Sequence, residues 1–179
     1  MKFQSKFFNY IQNAAFYEAA HIAAVKYIDQ NSENKTWADI GCGAGIVAKI
    51  ATLNGYDKTG YDINPEMVNI ASKNNFLYNL KFKECNYNLL GIDQADIVSA
   101  ASLLITTTNQ KELLEKLYSL VKPNGKLLII ETTKNMKLSF AIKQFFKIGG
   151  KRAFILLLWA FVRGGKTVDE SIFDRYVYK

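Results

Sequence analysis

The run Trp37-Ala38-Asp39-Ile40-Gly41-Cys42-Gly43-Ala44-Gly45-Ile46 ends one short apolar segment and opens a stretch with helical spacing. It narrows the choice of folds more than any other part of the chain. Glycines at alternate positions permit a tight turn and let a ligand approach the backbone, with N–H groups free at the start of the following helix. Spacing separates this loop from its common relatives. A dinucleotide fingerprint places glycines as GxGxxG, the third packing helix against strand, whereas here Ile46 takes the sixth place. No Lys-Ser/Thr pair follows the loop, so it is not a P-loop either.

The rest of the chain supplies the frame that such a loop needs. Short apolar runs at 36–40, 58–61, 80–85, 95–99 and 126–130 alternate with helical spacing at 46–53, 65–74 and 110–121. That alternation predicts a parallel sheet with crossover helices. Pro65 suits the first turn of its helix. Leu113, Leu114, Leu117, Leu120 and Val121 form one apolar face to lie on the sheet, and Lys122-Pro123-Asn124-Gly125 reads as the turn into the last strand. Right-handed crossovers give a doubly wound α/β sandwich, whose ligand site lies beyond the carboxyl ends of the strands. With 179 residues, 49% of them hydrophobic, the chain reads as one globular domain without internal repeats.

Asp62 closes the second strand in Thr59-Gly60-Tyr61-Asp62-Ile63-Asn64. A carboxylate there can accept both ribose hydroxyls of an adenosine lying across the strand ends. Asp39, Gly41, Gly43, Gly45 and Asp62, in this order, resemble the class I S-adenosylmethionine-dependent methyltransferases. The resemblance covers roughly residues 36–133 and includes the fourth strand, Ala95-Asp96-Ile97-Val98, and the turn at 122–125. It implies a Rossmann-like, mostly parallel sheet of strand order 3-2-1-4-5 with helices on both faces and an N-terminal helical cap over residues 1–35. It also implies S-adenosylmethionine as cofactor, leaving S-adenosylhomocysteine.

Carried over residue by residue, the resemblance sets Gly41 and Gly43 behind the methionine part, with Cys42 and Gly45 completing the loop and Asp39 helping to hold the ammonium end. Asp62 takes the ribose and Ile63 lies against the adenine face. In Glu84-Cys85-Asn86-Tyr87 the family often has Asp where Asn86 stands, and an amide can still meet the adenine edge. The backbone around Ala100 and Ala101 borders the sulfonium. Plainer roles stay open: Asp39 as a loop organiser, Asn86 as a turn residue, Cys42 as a small filler.

Methyl transfer from a sulfonium is an in-line displacement that needs alignment, desolvation and a nucleophile in the right protonation state. A dedicated base is not required. His21 and Tyr17 are the catalytic candidates because a helical cap commonly covers the acceptor site in this family; Tyr10 and Glu131 are further candidates for lining the pocket. After the fourth strand the chain reads Ser99-Ala100-Ala101-Ser102-Leu103. It lacks the Asn-Pro-Pro-aromatic element of enzymes acting on amide or exocyclic amino nitrogens, which disfavours DNA adenine and protein glutamine. The layout is most similar to the small-molecule and quinone-type branch, with a small hydrophobic acceptor; an RNA methyltransferase and a non-catalytic cofactor binder are the alternatives. The family normally ends in two further strands, the last antiparallel, yet past Glu131 the sequence reads as two helices and a short tail, so those strands are expected to be missing.

Charge is uneven along the chain. Nine basic and ten acidic residues precede Lys111, while fourteen and six follow from there. Between Glu131 and Asp169 no acidic residue occurs, against eight Lys and Arg, interleaved with Phe140, Phe145, Phe146, Phe154, Trp159 and Phe161. Residues 134–166 therefore read as a packing helix pair, as a peripheral contact with an anionic membrane surface that would suit a lipid-like acceptor, or, less favoured, as an RNA-binding patch. The longest apolar run, 153–162, is ten residues, about half of a bilayer span. Cys42 and Cys85 form no CxxC pair and lie away from the sole histidine, so neither a disulfide framework nor a Cys/His metal site is expected. With no signal-like apolar stretch at the start, the expected compartment is the cytoplasm.

Overall fold

Five short runs, the central ones buried nearly throughout, pair into a single parallel sheet. In the computed structural model, which describes residues 9, 15–28, 32–75, 77, 80–86, 88–89 and 91–131, the strands are β1 (Thr36–Ile40), β2 (Asp57–Asp62), β3 (Leu80–Glu84), β4 (Ala95–Ala101) and β5 (Val121–Ile130). Their order is β3-β2-β1-β4-β5, as expected, and every neighbouring pair is parallel. The helices are α1 (Ala15–Ile28), α2 (Ile46–Leu53), α3 (Pro65–Asn74) and α4 (Gln110–Ser119). The helices expected within 134–166, and residues 1–8 and 10–14 of the expected cap, lie outside the described residues.

Side chains along a strand alternate between faces, and that period splits the core in two. Trp37 and Ile97 face α1 and α2, where Val25, Val47 and Ile50 close over them. Trp37 also meets Tyr56 edge to face, ring centroids 4.9 Å apart. Ala38, Ile40, Val98 and Ala100 face the other way, toward Leu104, Leu114 and Leu117. Full burial of each such leucine stabilises by about 2 kcal/mol relative to exposure.

Local chemistry sets the helix ends. The Asn64 side chain accepts from the Glu66 amide at 2.9 Å, with Pro65 just inside α3. Asn109 accepts from the Glu112 amide at 3.3 Å and donates to the Glu112 carboxylate at 2.6 Å, a reciprocal cap on α4. Lys126 Nζ donates to the Ile28 carbonyl at 2.6 Å, placing a cation at the carboxyl end of α1.

Some boundaries move. β5 begins at Val121 because that residue already pairs with Ala95; the next pair is Ile97 with Lys126, so the expected turn at 122–125 is an irregularity within the strand, with Asn124 at φ 63°. α4 accordingly ends at Ser119. β2 and β4 extend one and two residues further at their carboxyl ends, to Asp62 and Ala101. Asp96 anchors the opposite end of the sheet, accepting from the Thr36 amide (2.8 Å), the Thr36 hydroxyl (2.7 Å) and Lys122 Nζ (2.9 Å).

Candidate functional site

The glycine loop leaves β1 and doubles back before α2. Its first amides, Gly41 N and Cys42 N, both donate to the Tyr61 carbonyl, at 2.7 and 2.9 Å, which ties the loop to β2. Gly45 takes φ 86° at the N-cap of α2, where no side chain caps the helix. An added Cβ there would stand 2.5 Å from the Phe82 ring, so both the backbone and the packing require glycine. Phe82, on β3, also covers Gly60. The loop is latched from its far side by Asn75, whose amide donates to the Ala44 carbonyl at 3.0 Å and to Ala71 at 2.9 Å.

Asp62 joins this loop to the end of β2. One carboxylate oxygen accepts from the Gly43 amide and the other from the Asn64 amide, each at 2.8 Å. Each oxygen retains capacity for a second hydrogen bond, so the same carboxylate that braces the loop can accept a pair of hydroxyls. Ile63 follows at once and is exposed to 39% of its surface, a large apolar side chain at the rim.

Asp39 lies at the root of the loop and is buried. Its Oδ1 accepts from the Ser99 hydroxyl at 2.7 Å, and Ser99 in turn accepts from Trp37 Nε1 at 2.7 Å. Oδ2 is buried with no hydrogen-bond partner among the described residues. Burial pushes the Asp39 carboxyl up to about 7, against the Ser99 hydroxyl and the Ala48 amide, which lower it, while the charge of Asp62 raises it further. A buried acceptor of this kind, at the carboxyl end of a parallel sheet, suits a ligand cation.

The remaining candidates divide. Cys42 is buried and its thiol is held well above its ordinary range by burial, then by Asp39 and Asp62, which fits a filler of the loop. Asn86 is exposed just beyond β3; Tyr87 lies outside the described residues. Ala100 buries its side chain on the α4 face, so only its backbone can reach a ligand, and Ala101 ends β4. His21 sits on the buried stripe of α1 with Val25 and Ile28. Tyr17 belongs to α1, and Tyr10 lies outside the described residues. Glu131, just past β5, accepts from the Leu104 amide at 2.7 Å, while the Ser102 amide donates to Ile130 at 2.8 Å. These bonds hold the short 3-10 turn Leu104–Thr106 beside the loop, and Leu103 packs over Gly41. Sequence reasoning missed Ser99, Phe82, Asn75 and Leu103 as parts of the site. Of these, Ser99 was within reach, because pairing of β1 with β4 sets it directly opposite Asp39.

A family model described as Methyltransferase domain matches residues 11–161. The chain belongs to the class I S-adenosylmethionine-dependent methyltransferases. Its curated relatives include ubiquinone biosynthesis O-methyltransferases. That of Coxiella burnetii (strain RSA 493 / Nine Mile phase I) is 25% identical over 119 residues, 63% of this chain and 51% of the relative. That of Hydrogenovibrio crunogenus is 26% identical over 149 residues, 73% of this chain and 60% of the relative. The methyltransferase chain thus spans about half the length of the curated relatives it matches. Among solved structures, magnesium protoporphyrin IX methyltransferase from Synechocystis PCC 6803, with bound S-adenosylhomocysteine, superposes with a TM-score of 0.64 at 20% identity, covering 88% of this chain and 68% of that one. A Methanococcus maripaludis protein put forward as an S-adenosyl-L-methionine-dependent methyltransferase gives 0.69 at 18% identity, covering 96% and 79%. At these identities the likeness concerns the fold. S-adenosylmethionine is the methyltransferase's cofactor, and the residues present fit it: the buried Oδ2 of Asp39, without a hydrogen-bond partner among the described residues, suits its ammonium group and the two-oxygen acceptor at Asp62 suits its ribose.

Proposed function

We propose that this methyltransferase moves a methyl group to a small, hydrophobic acceptor of the quinone-precursor class. The observation that carries the reading is the pairing of the Asp39–Gly45 and Asp62 cradle with relatives that are, by name, ubiquinone biosynthesis O-methyltransferases. When bound, S-adenosylmethionine supplies a methyl group made electrophilic by its sulfonium. The chain's own residues then have three tasks. Asp39 holds the ammonium end and Asp62 the ribose, so the reacting carbon is fixed along one line. The loop amides and Ile63 enclose the remainder and exclude water. The turn held by Glu131, next to the end of β4, borders the side from which an acceptor approaches.

The basic, aromatic stretch 134–166 supports a peripheral membrane contact, since each lysine near anionic headgroups contributes about 1 kcal/mol and Phe or Trp side chains add apolar insertion. No helix among the described residues is long and apolar enough to cross a membrane. A surface contact of this kind would bring the site to an acceptor dissolved in lipid.

The test is to incubate the protein with methyl-labelled S-adenosylmethionine and an extract of its host, then separate lipid, nucleic-acid, protein and small-molecule fractions. Label in an organic-soluble small molecule is the expected result. Label in RNA moves the acceptor class to nucleic acid, and no label alongside intact S-adenosylhomocysteine binding marks a non-catalytic binder. Flotation with anionic liposomes, lost when Lys143, Lys147 and Lys151 are changed to Glu, is expected for the membrane contact; wild type remaining at the bottom of the gradient removes it.

A further inference from the structure

The buried chain Trp37–Ser99–Asp39 has a direction that hydrogen-bond chemistry fixes. An indole N–H is only a donor, and a serine hydroxyl has a single proton. In the structure Ser99 Oγ accepts from Trp37 Nε1 and donates its proton to Asp39 Oδ1, each at 2.7 Å. With the hydroxyl proton directed there, Oδ1 is the acceptor, and a proton on the carboxyl goes to Oδ2, the buried oxygen with no hydrogen-bond partner among the described residues.

We propose that Trp37 and Ser99 are positioning residues that dedicate Oδ2 of Asp39 to the ammonium group of S-adenosylmethionine, so that this oxygen gives up its proton as the cofactor binds. The inference rests on the placement of the ammonium end at Asp39. In the step, the Oδ2–H bond breaks, the proton passes to the solvent, and the cofactor's N–H donates to the new carboxylate, directly or across one water. Burial favours a neutral carboxyl before binding and Asp62 on β2 adds to it, while Ser99 on β4 and the Ala48 amide on α2 favour the charged form; Cys42 in the loop is a thiol held well above its ordinary range and brings no charge. Lys58 on β2 stands two residues below the partner of Asp39, beside Trp37; β5 carries Lys126, engaged with Ile28; and α1 carries buried His21. With the carboxyl held up to about 7 by burial, the proton change falls in the physiological range.

The experiment is isothermal titration of the protein with S-adenosylhomocysteine, which keeps the ammonium group, from pH 5.5 to 8.0 in buffers of different ionisation enthalpy. Wild type, Ser99→Ala, Ser99→Thr, Trp37→Phe and Asp39→Asn are compared, each checked for folding by circular dichroism. Wild type is expected to bind more tightly as pH rises toward about 7 and to release protons on binding below that pH. Ser99→Ala should move the midpoint up by about one pH unit and weaken binding at pH 7 roughly tenfold, the effect of one lost hydrogen bond to the charged form. Ser99→Thr should restore the wild-type profile, Trp37→Phe should fall between the two, and Asp39→Asn should show no proton release. A Ser99→Ala profile that keeps the wild-type midpoint, even if uniformly weaker, overturns the relay, as does proton release that persists in Asp39→Asn. Failure of wild type to bind S-adenosylhomocysteine at any pH would instead overturn the ammonium placement itself. If Ser99→Ala does not fold, the wild-type and Asp39→Asn proton counts still decide the protonation step, and Trp37→Phe decides the relay.

Discussion

Replacing Asp39 with Asn should make the ligand-free protein progressively more stable relative to wild type as pH rises from 5 to 7, while weakening its cofactor binding. In the unfolded chain the carboxyl ionises near its ordinary 3.8, whereas in the folded protein burial holds its proton to about 7. Between those values the folded state binds more protons than the unfolded one, so stability falls as pH rises, by about 1.4 kcal/mol per unit, and is level above about 7. The whole effect is on the order of 4 kcal/mol. Asparagine carries no such titration, and its Oδ1 can still accept from Ser99. The stability difference, variant minus wild type, should therefore grow by roughly 2–3 kcal/mol between pH 5 and pH 8, whatever constant offset the amide brings. For a domain of this size that is about 4–12 °C in melting temperature. Urea unfolding of both proteins at pH 5, 6, 7 and 8 without ligand measures it, and a difference that stays constant across the series refutes the reasoning.

Asp62→Ala should weaken S-adenosylhomocysteine binding by about 10- to 100-fold, since it removes the charge-assisted acceptor for the ribose and frees the Gly43 and Asn64 amides; titration calorimetry reads it. Gly45→Ala should destabilise the fold by about 1–3 kcal/mol, because φ 86° and a Cβ 2.5 Å from Phe82 are both unfavourable, and Phe82→Leu in the same chain should recover part of that loss in urea melts. Glu131→Gln should leave S-adenosylhomocysteine affinity within about twofold, since an amide oxygen still accepts from Leu104. Glu131→Ala should release the 3-10 turn and raise the KM for the acceptor once a methyl-accepting fraction is in hand.

The periodicity of the sequence carried the strands, the crossover helices and the loop, because those depend on short-range patterns: a strand of four or five apolar residues, a helical stripe, glycines at a chain reversal; the strand order β3-β2-β1-β4-β5 came from the family resemblance. Ends were less legible. Val121 joins β5 only because Ala95 lies opposite it, and the turn after it survives as an irregularity within the strand. The parts of the site that escaped reading act across long separations. Ser99 stands 60 residues from Asp39 and Asn75 31 residues from Ala44. A serine in an apolar strand looks like any small strand residue until a partner strand is set beside it. Phe82 reads as ordinary core until Gly45 and Gly60 are found beneath its ring.

The two faces of the sheet divide the work. Asp39, Ser99, Gly60 and Phe82 lie on the face of α1 and α2 or at the loop above it, so the proposed cofactor cradle draws on β1, β2, β3 and the contact with β4. The ends of β4 and β5 meet instead at Ser102 and Glu131: the Ser102 amide donates to Ile130, and Glu131 accepts from Leu104 at the start of the 3-10 turn. If, as proposed, Asp39 and Asp62 hold the cofactor and the turn at Leu104–Thr106 borders the acceptor, the turn can change without disturbing the carboxylates. On the proposed reading, cofactor binding and acceptor choice should therefore respond to different substitutions, Asp62→Ala moving the first and Glu131→Ala the second.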